Sequence, residues 1–185
     1  LYFIAMPKLT FFWITTAATS LAVVLFLNSG AVYRIHRLQQ WVHYISGKTG
    51  PISQLKFSLL SFSHGGNFGV GFGAGEYKKM LPEAHTDFIF SVIGEEMGFL
   101  FALLIVALYI IVLIKLMFMM KAAEEPYQFY FTVLAMTLIV GQAIINIGVT
   151  LGIFPITGMT LPMISYGRTS VIMFMVLFGL LRSVE

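Results

Sequence analysis

The sequence predicts an all-α fold, a polytopic transmembrane helical bundle with about four spans and one long loop. Hydrophobic residues make up 58% of the 185 residues and charged residues 10%, whereas a soluble globular domain has about 25% charged residues. So few charges leave too little polar surface for a protein surrounded by water. Apolar runs of roughly 20 residues, the length that crosses a bilayer, predict spans at residues 9–27, 88–119, 127–154 and 165–181, with the long loop at residues 30–86.

The ends of these spans carry residues that ordinarily begin or end helices. Thr86 or Asp87 is placed to cap the N-terminus of the second span, and Ser165 is placed to cap the fourth. Pro155 ends the third span because proline cannot continue a helix. Arg182 closes the fourth, where a cation suits the helix dipole.

The long loop contains three distinguishable segments. Residues 33–42 mix basic and apolar side chains at helical spacing, which predicts a short amphipathic helix at a membrane surface. Residues 55–62 are apolar but too short to span, which indicates a re-entrant or interfacial helix. Residues 64–75 are rich in glycine but lack the Gly-Lys-Ser/Thr ending of a phosphate-binding loop, so close backbone packing is the favoured interpretation.

The charge balance limits the partners and leaves the orientation open. A formal net charge of +3 is too small to indicate a nucleic-acid partner, and basic groups beside a membrane meet lipid headgroups. The absence of cysteine excludes disulfides and thiolate metal sites. The excess of Lys and Arg in the long loop places that loop in the cytoplasm by the positive-inside rule. Because the chain begins at Leu1, we expect it to be a piece of a longer protein or a processed product.

The residues best suited to chemistry cluster where the second span begins. Glu83, His85, Asp87, Glu95 and Glu96 lie close together in the sequence, and ionisable groups at membrane depth are costly and therefore functional candidates. The alternative is that Asp87 only caps the helix while the two later glutamates pair with cations of other helices. A zinc site is disfavoured because no second cluster of His or Cys exists. A divalent cation such as Mg²⁺, held with a phosphate substrate, is easier to accommodate.

Three further polar residues lie within or beside the later spans. Gln142 and Asn146 are four residues apart, hence on one face of the third span, where hydrogen bonding between helices is expected. Arg168 lies in the first turn of the fourth span, where a cation opposes the helix dipole. Its partner is left open between lipid headgroups, an anionic substrate and one of the glutamates.

An ordered set of segments covers residues 81–90, 93–99, 142–152 and 155–167. Together these segments resemble the SEDS family, the FtsW, RodA and SpoVE group of bacterial cell-wall polymerases. The FtsW type is slightly favoured by Ala84 and by the Gly158–Pro162 sequence. The segments run in family order along most of the chain, and a weaker match covers residues 54–75. The sequence departs from the family pattern at Phe57, at Thr150 and at Arg168.

The resemblance implies a function and a location. It implies that the chain is the C-terminal part of a multi-pass protein of the bacterial inner membrane. It also implies that the long loop is extracytoplasmic, which is opposite to the location that the positive-inside rule predicts. It implies polymerisation of lipid II, the undecaprenyl-pyrophosphate-linked disaccharide peptide, beside a class B penicillin-binding protein. Asp87 then corresponds to the catalytic aspartate, while Glu95, Glu96, Gln142 and Asn146 support the site. The substrate-binding candidates are His85, Glu83, Lys78, Lys79 and Arg168.

Two other functions are compatible with the same residues. A polytopic protein with carboxylates at membrane depth could be a lipid II transporter or flippase. It could also be a non-enzymatic membrane scaffold that positions a penicillin-binding protein. We expect no covalently bound cofactor and assign no residue as a metal ligand. We also expect the 185-residue piece alone to be inactive, since the cavity of such a family is lined by helices of both halves.

Overall fold

The computed structural model describes residues 31–47 and 54–184, and within these ranges it contains helices and no strand. The predicted all-α fold is confirmed. The predicted span at residues 9–27 lies outside the described residues. A 3₁₀ turn covers Tyr77–Lys79, and a π-helical segment, Thr137–Gly141, joins α5 to α6. The α-helices are α1 (Ala31–Ile45), α2 (Gln54–Gly65), α3 (Ile89–Glu96), α4 (Gly98–Ala122), α5 (Pro126–Met136), α6 (Gln142–Thr150) and α7 (Arg168–Val184).

Two helices are long and apolar enough to cross a membrane. Helix α4 has 25 residues, and the continuous helix Pro126–Thr150 has 25 as well. At about 1.5 Å per residue, a helix of this length exceeds the roughly 30 Å of bilayer hydrocarbon. Large apolar side chains of α4 are exposed over more than half of its circumference, among them Phe99, Phe101 and Leu104. A helix that is apolar on all sides suits a lipid environment.

The second predicted span is two helices rather than one. Helix α3 ends at Glu96, and Gly98 begins α4 with a φ of +85°, in the left-handed region that favours glycine. The backbone N–H of Phe99 then donates to the carbonyl of Gly66, so the glycine tract packs on the break. The predicted close packing of that tract is confirmed. Glu95 and Glu96 consequently lie outside the long apolar helix.

Three predicted helix ends are corrected by the structure. The N-cap of α3 is Phe88 and carries no side-chain capping bond, so the predictions of a Thr86 or Asp87 cap are wrong. Ser165 is not the cap of α7, because its hydroxyl bonds to Thr86 and Leu161 instead. The third span ends at Thr150, where a turn begins, rather than at Pro155.

Both helices predicted inside the long loop are present, as α1 and α2. A buried apolar cluster lies beneath the turn at residues 81–88 and joins it to α3 and α6. Since burial of apolar area stabilises such contacts, this cluster fixes the turn against the bundle. Its buried members are Leu81, Ala84, Phe88, Val92, Val149 and Ile156.

Candidate active site

The turn at residues 81–88 presents a group of polar side chains at its surface. Glu83 has a φ of 58° and its carbonyl accepts hydrogen bonds from the backbone N–H groups of Thr86 and Asp87, both at 3.1 Å. The Thr86 hydroxyl also lies 3.1 Å from the carboxylate oxygen Oε2 of Glu83. In this turn the side chains of Glu83 and His85 are exposed, while that of Asp87 is half-buried.

Residues of two other segments hold the backbone of this turn. Three consecutive carbonyls accept hydrogen bonds from outside the turn, which fixes their positions without using any side chain of the turn. The donors come from α6 and from the loop that precedes α7, so the segments that match the family meet here. The three bonds are Tyr166 N–H to His85 O at 3.0 Å, Ser165 Oγ to Thr86 O at 2.6 Å, and Asn146 Nδ2 to Asp87 O at 2.8 Å.

The polar pair on α6 bonds to loop backbone rather than to another helix. Asn146, 1% exposed, also donates to the carbonyl of Met159 at 2.6 Å. Gln142 donates from Nε2 to the carbonyl of Thr160 at 2.9 Å. One face of α6 therefore organises the loop at residues 155–167 and the turn that carries Asp87.

The Asp87 carboxylate and the Arg37 guanidinium of α1 both lie beside Gly158. A Cβ built on this glycine would lie 3.4 Å from Asp87 Oδ2 and 3.6 Å from Arg37 Nη1. Arg37 Nη1 also donates to the carbonyl of Ile156 at 3.2 Å. Burial raises the pKa of Asp87 above its ordinary value, and the nearby Glu83 raises it further. The charge of Arg37 and a hydrogen bond with Thr86 oppose that rise.

Arg37 is the site residue that sequence reasoning missed. The sequence shows it as one of several basic residues on an amphipathic helix, which is typical of a helix at a lipid surface. The sequence feature that could have indicated its role is the spacing from Trp41, which is four residues further along and hence on the same helix face. Trp41 Nε1 donates to the carbonyl of Gly152 at 3.0 Å, beside the segment that Arg37 contacts.

The later glutamates and Lys78 form a separate network. Lys78 Nζ pairs with Glu96 Oε1 at 2.5 Å and donates to the carbonyl of Gly73 at 3.0 Å. Burial by itself would raise the pKa of Glu96, but hydrogen bonds from Lys78 and from backbone groups of the glycine tract lower it on balance. Thus Lys78 has a structural partner, and its role in binding substrate stays a prediction.

Glu95 is fully buried and acts as a hub for the same loop. Its Oε1 accepts from the backbone N–H groups of Glu76 at 2.8 Å and Tyr77 at 3.1 Å, and His64 Nδ1 lies 3.0 Å away. Glu95 and Glu96 are therefore engaged with the long loop and with α2. Their supporting role in the candidate site stays a prediction.

Two of the remaining candidates have exposed side chains. Lys79 is exposed in the 3₁₀ turn, His85 is exposed beside Asp87, and Arg168 is the first residue of α7. Within residues 31–47 and 54–184, no three His, Asp or Glu side chains converge as metal ligands. The residues described here do not by themselves form a Mg²⁺ site, so the divalent cation stays a prediction.

A cavity of about 610 Å³ lies away from this turn, at the C-terminal end of α4. Its lining includes Lys115, Glu124 and Gln128. Since none of the family-like segments contributes to that lining, the cavity is not part of the candidate site.

Comparison with known proteins identifies relatives over nearly the whole chain. The family described as "Cell cycle protein", for FtsW, RodA and SpoVE, matches residues 1–185. A relative from Coxiella burnetii, named "Probable peptidoglycan glycosyltransferase FtsW", is 42% identical over 145 residues, which are 76% of this chain and 39% of that protein. A relative of the same name from Thiomicrospira cyclica is 34% identical over 188 residues, 99% of this chain and 48% of that protein. The chain thus spans less than half the length of these curated relatives.

One solved structure shares the fold. It is a chain of a peptidoglycan synthase complex, described in terms of polymerization and crosslinking, with a TM-score of 0.61 and 24% sequence identity. The match covers 90% of this chain and 46% of that one. At this level of identity the likeness supports the helical architecture.

Proposed function

We propose, from the premise that this chain belongs to the FtsW, RodA and SpoVE family of cell cycle proteins, that the whole protein polymerises lipid II into glycan strands. The relatives named for peptidoglycan glycosyltransferase activity support this function. Their FtsW designation supports a role in cell division, in the inner membrane of a bacterium.

The observation that carries the proposal is the environment of Asp87. Its carboxylate is half-buried, and its backbone is fixed by α6 and by the loop before α7. Burial raises the pKa of this carboxyl group, which makes the ionised form a stronger base than an exposed aspartate. A fixed carboxylate of raised basicity is what general base catalysis requires.

The proposed reaction transfers a growing glycan chain to an acceptor lipid II. A sugar hydroxyl is a poor nucleophile, so Asp87 takes its proton while the hydroxyl oxygen forms a bond to the anomeric carbon of the donor. The bond from that carbon to the carrier pyrophosphate breaks, and its electron pair leaves with the pyrophosphate. Cations stabilise such an anionic leaving group. Lys79, His85 and Arg168 are the proposed contacts, with Lys78 if it leaves Glu96.

The proposed partner is a class B penicillin-binding protein, a transpeptidase that crosslinks the new strands. The solved relative supports this pairing, since it belongs to a synthase complex described by polymerization and crosslinking. A protein that only scaffolds this partner would keep its function when the Asp87 carboxylate is lost.

The proposal is tested by giving lipid II to the purified full-length protein with its transpeptidase partner. Polymer on a gel supports the glycosyltransferase. The same preparation, placed in vesicles with fluorescent lipid II, tests the transport alternative. Movement of labelled lipid across the bilayer without any polymer would replace the proposal with transport. Absence of both activities, with partner binding retained, would replace it with scaffolding.

A further inference from the structure

Helix α1 is docked on the candidate site by two side chains of one face. Arg37 and Trp41, four residues apart, donate to the carbonyls of Ile156 and Gly152. Residues spaced in this way lie above one another on a helix. Both bonds end on the segment that follows α6, which is the segment that leads to Gly158. The bond of Arg37 to Ile156 therefore places its guanidinium near Gly158, while the bond of Trp41 holds the same helix farther from that glycine.

We infer that Arg37 is a positioning residue for Asp87, brought by α1 to favour the ionised carboxylate across Gly158. The inference rests on the proposed function, because it concerns the base of that reaction. Its geometric basis is the pair of distances at Gly158, whose built Cβ would contact both Asp87 Oδ2 and Arg37 Nη1. A guanidinium is planar and permanently charged, so it can bond to Ile156 and face the carboxylate at once.

The charges around Asp87 make Arg37 the group that favours its ionised form. Its own turn contributes Glu83, which opposes ionisation, and His85, which is exposed. Helix α6 contributes the neutral Asn146, and residues 156–158 contain no ionisable side chain. Arg168 follows at the start of α7. Since burial and Glu83 both raise the pKa of Asp87, loss of the Arg37 charge raises it further and leaves more of the base protonated near neutral pH.

The test is the pH dependence of lipid II polymerisation by the full-length protein. We expect Arg37→Gln, which keeps a donor for the Ile156 carbonyl but removes the charge, to move the acid limb of the rate profile to higher pH. The rate on the acid side falls about tenfold, and much of it returns at alkaline pH. Arg37→Lys keeps the charge and restores the limb toward its original position.

Trp41→Phe is the matched control, because it removes the other docking bond of α1 without changing charge. We expect it to lower the rate equally at every pH and to leave the acid limb in place. An unmoved limb in Arg37→Gln overturns the inference. So does an equal movement in Trp41→Phe, since docking alone would then explain the effect.

A second measurement keeps the inference independent of the proposed activity. Asp87 is the only aspartate among the 185 residues, and an infrared difference spectrum against Asp87→Asn isolates its carboxylate in the full-length protein labelled at aspartate. We expect its titration midpoint to rise in Arg37→Gln, even if no polymer is formed. An unchanged midpoint overturns the positioning role. If the midpoint rises in Arg37→Gln but the wild-type protein forms no polymer, only the proposed function is rejected.

Discussion

The side-chain amide of Asn146 donates to the backbone carbonyl of Asp87 at 2.8 Å and to that of Met159 at 2.6 Å. One buried group thereby joins the turn before α3 to the loop before α7. These segments are 59 and 13 residues away from Asn146 along the chain. The position of the candidate base consequently depends on a residue of α6 that need not contact any substrate.

Asn146→Ala should destabilise the protein and lower its activity. Two part-buried carbonyls lose their donor, and leaving a buried polar group unsatisfied costs up to roughly 1–3 kcal/mol. Thermal unfolding in detergent measures the stability, and the polymerisation rate measures the site. Ile144→Ala, at a side chain 56% exposed on the same helix, is the control. Equal losses in both variants would contradict the bridging role.

Lys78→Gln should weaken the protein at neutral pH and change little in acid. The pKa of Glu96 is lowered in the folded state from its ordinary value of 4.5, partly by Lys78. A lowered carboxyl pKa contributes stability above the unfolded value, and that contribution is lost as pH falls through the folded value. The difference in melting temperature between wild type and variant should therefore shrink below pH 4.5.

Lys79→Gln is the matched control for that prediction, since the neighbouring Lys79 is exposed. It should leave the melting temperature nearly unchanged throughout the pH range. A difference between Lys78→Gln and wild type that stays constant into acid would show that the pair with Glu96 does not provide the stability.

Gly65→Ala should loosen α2 from α3. A Cβ at this position would overlap the carbonyl oxygen of Gly94 and lie 2.7 Å from the Cα of Glu95, so backbone has to move. Forcing extra volume into a packed contact costs roughly 1–3 kcal/mol. Gly179→Ala is the control, because a Cβ there meets nothing within 4 Å. Similar melting temperatures for the two variants would contradict the close contact of α2 and α3.

The sequence predicted the helical architecture well because apolar runs report directly on membrane-length helices. It did not predict the break at Gly98, because the residues before Glu95 and Glu96 are mostly apolar, like those after Gly98, and only the packed glycine tract reveals the break. The caps at Asp87 and Ser165 failed for a related reason. The Ser165 hydroxyl bonds to a residue far away in the sequence, and the Asp87 carboxylate interacts with the charge of the distant Arg37, neither of which a local pattern reports.

The candidate site was only partly predictable for the same physical reason. Asp87, Asn146 and Gln142 lie in segments that match the family, and the structure joins Asn146 to the Asp87 backbone while Gln142 bonds to Thr160. Arg37 comes from an ordinary amphipathic helix, and only tertiary docking gives it a neighbour to act on. The sequence does not show that Lys78 pairs with the buried Glu96, because these residues are distant along the chain.

The most direct test of the central claim is lipid II polymerisation by the full-length protein carrying Asp87→Asn, with Glu124→Gln as a control at an exposed carboxylate. Loss of a general base lowers a rate by roughly 100-fold or more. We predict that loss of rate in Asp87→Asn, with the amount of protein in the membrane unchanged. We predict a near wild-type rate in Glu124→Gln. Polymer formed by Asp87→Asn at the wild-type rate would contradict the assignment of Asp87 as the base.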